Sequence, residues 1–94
     1  MNSVYKALSD PTRRRILELL RERDMTAGEI ADQLPHLAKP TLSGHFAVLK
    51  EADLIAGQKN GTRITYTMNA SVLEEALLAL MSAFKLQRKR AAAR

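Results

Sequence analysis

Few side chains in this chain could catalyse a reaction or hold a metal, and the residue types present favour binding over catalysis. The sequence has no cysteine and two histidines, His36 and His45, which are too few and too differently placed to close a metal site. No serine, histidine and carboxylate set and no glycine-rich phosphate loop is recognisable. Fifteen basic against ten acidic residues leave a net charge of +5, which favours a polyanionic partner. We therefore expect no enzyme, no cofactor and no metal.

Short hydrogen-bond donors gather at the start of one predicted helix. Lys39-Pro40 opens this helix, because a proline in the first turn gives up no hydrogen bond that the helix would use, and the helix runs to about Ala52. Its buried stripe consists of Leu42, Phe46 and Leu49. The opposite, presented face carries Thr41, Gly44, Ala47, Val48 and Glu51. Because this face is small and neutral where it begins, and is flanked by Ser43 and His45, it suits the major groove of duplex DNA.

A shorter helix precedes this one. Thr26-Ala27-Gly28-Glu29 has the form of a capping box, so the helix begins at Thr26. Pro35 ends it after about two turns, because proline cannot donate the next helical hydrogen bond. The apolar residues at helical spacing between these signals are Ile30, Ala31 and Leu34. Two helices joined by a short turn are typical of a helix-turn-helix, which indicates double-stranded DNA as the partner.

Two β-prone runs follow the second helix. Ile55–Lys59 and Arg63–Met68 flank Asn60-Gly61, a pair that accepts the positive φ angles of a type I′ turn. We therefore predict a β-hairpin whose exposed tip acts as a wing, holding phosphate or entering a minor groove. The tip consists of Lys59, Asn60, Thr62 and Arg63.

Three further helices are predicted outside this motif: Val4–Leu8, Pro11 to about Arg23 with Asp10 as its cap, and Ala70–Arg90 with Asn69 as its cap. The last would span roughly 30 Å, longer than the core of one small domain requires. We expect it to pair with its copy in a two-fold dimer, joined by the first helix. The expected interface consists of Val4, Leu8, Leu73, Leu77, Leu80 and Phe84. Two reading helices about 34 Å apart would then recognise a near-palindromic site.

Length and composition bound the architecture. A chain of 94 residues predicts one domain, expected over residues 1–90, with 91–94 as a disordered tail. It shows neither a long apolar stretch nor the hydrophobic core of a signal peptide, so we expect a cytoplasmic protein without a membrane partner. The predicted fold class is mainly α with a small β-hairpin, a winged helix-turn-helix that dimerises through its terminal helices.

In their order and gaps these motifs resemble the ArsR family of bacterial winged-helix repressors. The resemblance covers about residues 3–85 and rests on four segments, which are 7–17, 27–31, 39–49 and 54–66. It implies a homodimeric transcriptional repressor that binds operator DNA. Within the family the chain is most similar to the SdpR-like branch of autorepressors, through residues 9–14, 25–28 and 39–40.

The resemblance also implies particular DNA contacts. It assigns them to Lys39, Pro40, Ser43 and Gly44, with Thr41 and His45 as neighbours. Gly44 departs from the family pattern, because relatives often carry a larger polar residue there. The turn at residues 34–38 is one residue longer than usual, and Ala38 stands in place of a common serine cap.

Many family members sense metals, and this chain lacks the ligands for both of the usual sites. A thiolate pair would fall near Ala27–Ala31, where there is no cysteine, and the last helix offers Glu74 and Glu75 without a histidine. We therefore expect no metal sensor. Repression would be constitutive or relieved by a ligand or a sequestering protein partner.

Some residues have two interpretations on sequence alone. His45 could form a structural hydrogen bond or contact DNA, and Arg13 could pair within the fold or bind a phosphate. The basic end, Lys85 to Arg94, would add nonspecific DNA affinity. Alternatively it would make the chain a module that binds a protein or an anionic membrane surface.

Overall fold

Five helices and three strands make up residues 2–86, the part of the chain that this computed structural model describes. The helices are α1 (Asn2–Leu8), α2 (Pro11–Glu22), α3 (Ala27–Gln33), α4 (Lys39–Glu51) and α5 (Ala70–Ala83). The strands are β1 (Met25–Thr26), β2 (Ile55–Asn60) and β3 (Arg63–Met68). The predicted class, mainly α with a small β-hairpin, is confirmed.

The predicted caps of α2 and α3 are confirmed. The Arg13 backbone N–H donates to Asp10 Oδ2 at 3.0 Å, which places Asp10 at the N-cap of α2. At α3 the Glu29 N–H donates to Thr26 Oγ1 at 3.1 Å, and the Thr26 N–H donates to Glu29 Oε1 at 2.9 Å. These reciprocal bonds satisfy two backbone donors that a helix start otherwise leaves without partners.

The junction between α4 and the sheet is a tight turn built on an aspartate. Asp53 has a φ of 59°, and the Leu54 N–H donates to the Leu49 carbonyl at 3.0 Å, which is the Schellman pattern of a helix end. Asn69 lies at the predicted N-cap position of α5, but its side chain makes no capping hydrogen bond to the helix. Its amide donates instead to the Asp53 carbonyl at 2.9 Å, because its backbone N–H is also held there, 2.8 Å from the Leu54 carbonyl.

The last helix is shorter than predicted. It was expected to run to Arg90, but α5 ends at Ala83, followed by Lys85 at a φ of 56°. The Leu86 N–H donates to the Met81 carbonyl at 2.8 Å, so a second Schellman pattern ends the helix without a glycine. The predicted tail at 91–94 and most of the basic end lie outside the described residues.

The sheet has one more strand than the predicted hairpin, in the order β1-β3-β2. Its third strand, β1, consists of two residues that pair with Tyr66 and Thr65 of β3. The turn also differs: Asn60 pairs with Arg63, so the two-residue loop is Gly61-Thr62 and not Asn60-Gly61. Only Gly61 has a positive φ in this loop, 67°, as the first position of a type II′ turn requires.

The core lies where α1, α2 and α4 meet and where α2, α3 and α4 pack on the sheet. The apolar stripe predicted for α4, Leu42, Phe46 and Leu49, is buried there together with Ile16, Leu17 and Leu20 of α2. Phe46 of α4 packs on Tyr66 of β3 with ring centroids 4.5 Å apart. This contact fixes α4 against the hairpin, and the same burial raises the pKa of the Tyr66 phenol.

Candidate nucleic-acid interface

The predicted reading face of α4 is exposed to solvent except at Val48, which is half-buried and packs against the core. Its exposed residues include Lys39, Pro40, Thr41, Ser43, Gly44 and Ala47. Ala38, which precedes them, makes no side-chain cap. The backbone N–H groups of the first turn therefore stay available, and a helix N-terminus with free N–H groups favours a phosphate. Lys39 adds a positive charge at the same end.

Gly44 has no reason within the fold to be a glycine. A Cβ placed on it would meet nothing within 4 Å, and its φ is not in the left-handed region. A glycine inside a helix lowers the free energy of unfolding by about 0.5–1 kcal/mol relative to alanine. Gly44 therefore lies open to solvent on the face of α4 that is predicted to read DNA.

His45 differs from its neighbours on the reading helix, because its side chain is mostly covered. That side chain is 16% exposed, and its Nδ1 lies 3.2 Å from the Arg13 guanidinium. Arg13 in turn donates to two carbonyls at the end of α1, Ala7 at 2.9 Å and Lys6 at 2.8 Å. Both residues therefore serve the structural role that was one of their two sequence interpretations. The contact between them was not predicted.

Asp10 completes this cluster at the start of α2. The Arg13 backbone N–H that donates to its carboxylate holds the pKa of Asp10 below its ordinary value, with the positive charge of Arg13 acting in the same direction. Asp10 Oδ2 lies 3.9 Å from His45 Nδ1, beyond hydrogen-bond reach. Arg13 is thus the direct partner of His45.

The hairpin tip lies beside the helix-turn-helix. All four predicted wing residues, Lys59, Asn60, Thr62 and Arg63, are exposed. One groove of about 370 Å³ separates α4 from β3 and is lined by Lys39, Ser43 and Ile64 among others. A second groove, of about 470 Å³, has Thr62 and Arg63 on one side and the N-terminal half of α3 on the other. The two grooves share Ala27, Gly28 and Ile64, so they adjoin at the N-terminal end of α3.

A separate apolar surface lies on α5. Leu77 and Phe84, both predicted at the dimer interface, are 47% and 70% exposed, and Leu73 and Leu80 are half-buried. Leu8, Leu73 and Leu77 line one groove of about 420 Å³ between α2 and α5. Val4, however, is only 6% exposed, because the inner side of α1 packs into the protomer's own core. It therefore offers little surface to a partner.

Sequence reasoning missed part of this apolar surface. Leu78, which is 58% exposed, lies outside the predicted stripe and widens it. The Leu77-Leu78 doublet was the available signal, because adjacent leucines on a helix point about 100° apart and widen its apolar face.

Among residues 2–86, no three histidine or carboxylate side chains lie close enough together to hold a metal ion. Over the same range, no helix is both long and apolar enough to cross a bilayer.

Comparison with known proteins agrees with this geometry. Residues 8–58 match the family model described as a helix-turn-helix domain. The transcriptional repressor SdpR of Bacillus subtilis is 47% identical over 77 residues, which cover 82% of this chain and 84% of SdpR.

Solved structures show the same likeness over nearly the whole fold. The crystal structure of an ArsR family transcriptional regulator superposes with a TM-score of 0.82 at 27% identity, covering 90% of this chain and 92% of the other. An ArsR-like transcriptional regulator from Rhodococcus sp. RHA1 gives a TM-score of 0.81 at 30% identity, covering 98% and 84%.

Proposed function

The chain belongs to the ArsR family of winged helix-turn-helix transcriptional repressors, and we propose that it binds a near-palindromic operator as a homodimer. The family is one of transcriptional regulators and not of enzymes. The observation that carries the proposal is the exposed, small-residue face at the start of α4, together with Lys39 and the exposed basic hairpin tip.

Base reading falls to α4 in this proposal. Ser43 and Thr41 offer short hydroxyl groups for base edges, and Lys39 together with the helix N-terminus holds a phosphate. Pro40 and Gly44 add contact without bulk. Lys59, Asn60, Thr62 and Arg63 of the wing hold the flanking backbone, which contributes affinity without sequence preference.

The dimer is supported by the apolar surface of α5. Large side chains standing this far into solvent are unusual on a monomer and mark an interaction surface. A second copy is the occupant that also serves function, because a two-fold axis near α5 would place two α4 helices on one side of the assembly. Such a repressor works where the DNA is, in the cytoplasm.

Regulation without a resident metal is also part of the proposal. The cysteine-free α3 and the acidic pair Glu74-Glu75 on α5 supply no complete ligand set. The repressor therefore acts constitutively or answers to a partner, and repression of its own gene is the simplest circuit for a protein of this size and family branch.

Selection from a pool of random duplexes tests the function directly. The wild-type chain should enrich one near-palindromic duplex, bound with a steep salt dependence and several orders of magnitude more tightly than random DNA. Lys39→Ala and Ser43→Ala should weaken binding to that duplex while the circular dichroism spectrum stays unchanged. A pool that shows no enrichment, or two variants that bind as tightly as wild type, would overturn the proposal.

A further inference from the structure

We propose that Arg13 and His45 form a positioning pair that sets the angle of the reading helix α4 relative to α1. The inference deepens the proposed function and rests on it. In this view His45 acts on DNA through Arg13 and not by touching a base.

Arg13 connects three elements through one side chain. Its Nε donates to the Ala7 carbonyl at 2.9 Å and its Nη2 to the Lys6 carbonyl at 2.8 Å, both at the C-terminal end of α1. Its Nη1 lies 3.2 Å from His45 Nδ1 on α4. Because a guanidinium is planar and rigid, the three bonds fix α1, α2 and α4 in one arrangement.

The chemistry of the pair also determines which ring nitrogen of His45 accepts a hydrogen bond. An arginine can only donate hydrogen bonds, so His45 Nδ1 must accept, and the neutral ring carries its proton on Nε2. Nε2 of His45 has no hydrogen-bond partner among the described side chains. Every buried side-chain nitrogen of residues 2–86 has a partner, so Nε2 is not buried and reaches the surface. The two ring nitrogens therefore face different surroundings, which separates a positioning role from a DNA contact.

The position of α1 explains how this pair could affect DNA binding. Helix α1 packs on α4, and Leu8 at its end lines the apolar groove shared with Leu73 and Leu77 of α5. In the proposed homodimer, α1 thus lies between the dimer interface and the reading helix. A change in its angle to α4 would alter the separation of the two reading helices, which must match one helical turn of DNA.

The chain offers a matched control for this pair. Arg14 also binds the end of α1, since its Nη1 donates to the Leu8 carbonyl at 2.7 Å, but it makes no hydrogen bond to α4. Arg14→Gln therefore removes an arginine bond to α1 without touching the link to the reading helix. Arg13→Gln removes the bonds to α1 and also the link to the reading helix.

Two substitutions of His45 distinguish its two nitrogens. His45→Asn retains an acceptor near the position of Nδ1, and His45→Gln retains a polar group near Nε2. The probe is the duplex enriched from random DNA by the wild-type chain, together with the same duplex lengthened by one base pair at its centre. Kd is measured for both duplexes, and circular dichroism and sedimentation confirm that each variant is folded and associated as wild type.

For a positioning pair, His45→Gln and Arg13→Gln should weaken binding to the selected duplex roughly 2- to 30-fold. They should also reduce the preference for native spacing, because the reading helices are less firmly placed. His45→Asn should restore most of both losses, and Arg14→Gln should match wild type. Loss of folded protein in Arg13→Gln would leave the comparison to the two His45 variants and Arg14→Gln.

The opposite result for the His45 variants would overturn the inference. If His45→Gln binds as wild type and His45→Asn does not, Nε2 contacts DNA directly. An unchanged spacing preference in both His45→Gln and Arg13→Gln would equally refute a positioning role. If the wild-type chain enriches no duplex at all, the proposed function fails first, and this inference fails with it.

Discussion

Replacing Gly44 by alanine should move protein stability and operator affinity in opposite directions. The added methyl meets nothing within 4 Å, so it causes no clash in the free protein. The helix gains about 0.5–1 kcal/mol, because alanine loses less backbone entropy than glycine. For a domain of this size, that gain should raise Tm by roughly 2–8 °C.

Affinity should fall, because in the proposed complex the methyl would stand where α4 comes closest to base edges. Loss of one well-made base contact costs about 1–3 kcal/mol, roughly 5- to 150-fold in Kd. Binding to random duplex, which depends on charge, should stay unchanged and serves as the internal control. The assays are thermal unfolding and fluorescence anisotropy with both duplexes. If the variant is more stable yet binds its selected duplex as tightly as wild type, the inference of close approach at Gly44 is refuted.

Three further predictions follow from the same surfaces. Arg63→Ala should weaken binding to every duplex and make the salt slope shallower by about one, and a loss confined to one base pair would contradict a wing role. Leu77→Glu should shift the chain to monomer in sedimentation velocity, and a wild-type monomer would exclude the dimer. Since the fold holds the pKa of Asp10 below its ordinary value of 3.8, its stabilisation is present above that pH and is lost as the pH falls through the folded pKa. Asp10→Asn should therefore lose less stability than wild type in urea unfolding between pH 5 and pH 3.

Local signals in the sequence were sufficient for most helix boundaries. The capping box at Thr26 and the cap at Asp10 act within three residues, so neither depends on the rest of the fold. The apolar spacing in α4 likewise identified Leu42, Phe46 and Leu49 as its buried stripe. From these elements alone, the reading helix and its exposed face could be placed.

The hairpin turn could not be placed by pattern, because a shift of two residues keeps the same side chains on each face. Pairing of Gly57 with Tyr66 distinguishes the two registers. A Cβ on Gly57 would lie 3.1 Å from the Tyr66 ring, tighter than an ordinary van der Waals contact, so the glycine favours this pairing. The resulting register moves the loop to Gly61-Thr62.

Contacts between segments that are distant in the chain likewise could not be predicted from the sequence. Arg13 and His45 are separated by 32 residues, and no local pattern brings them together. The strand β1 has only two residues, too few to show an alternating pattern, and it exists because β3 pairs with it. The end of α5 was missed because a lysine takes the left-handed position that glycine usually fills.

The hydrogen bonds of Asn69 to the Asp53 and Leu54 carbonyls have a mechanical consequence. They join the end of α4 directly to the start of α5, so the two helices have no free hinge between them. A rotation of α5 would therefore also rotate α4. In the proposed homodimer, a molecule that separated the two α5 helices would also tilt both α4 helices, and it would release the proposed operator without approaching the DNA.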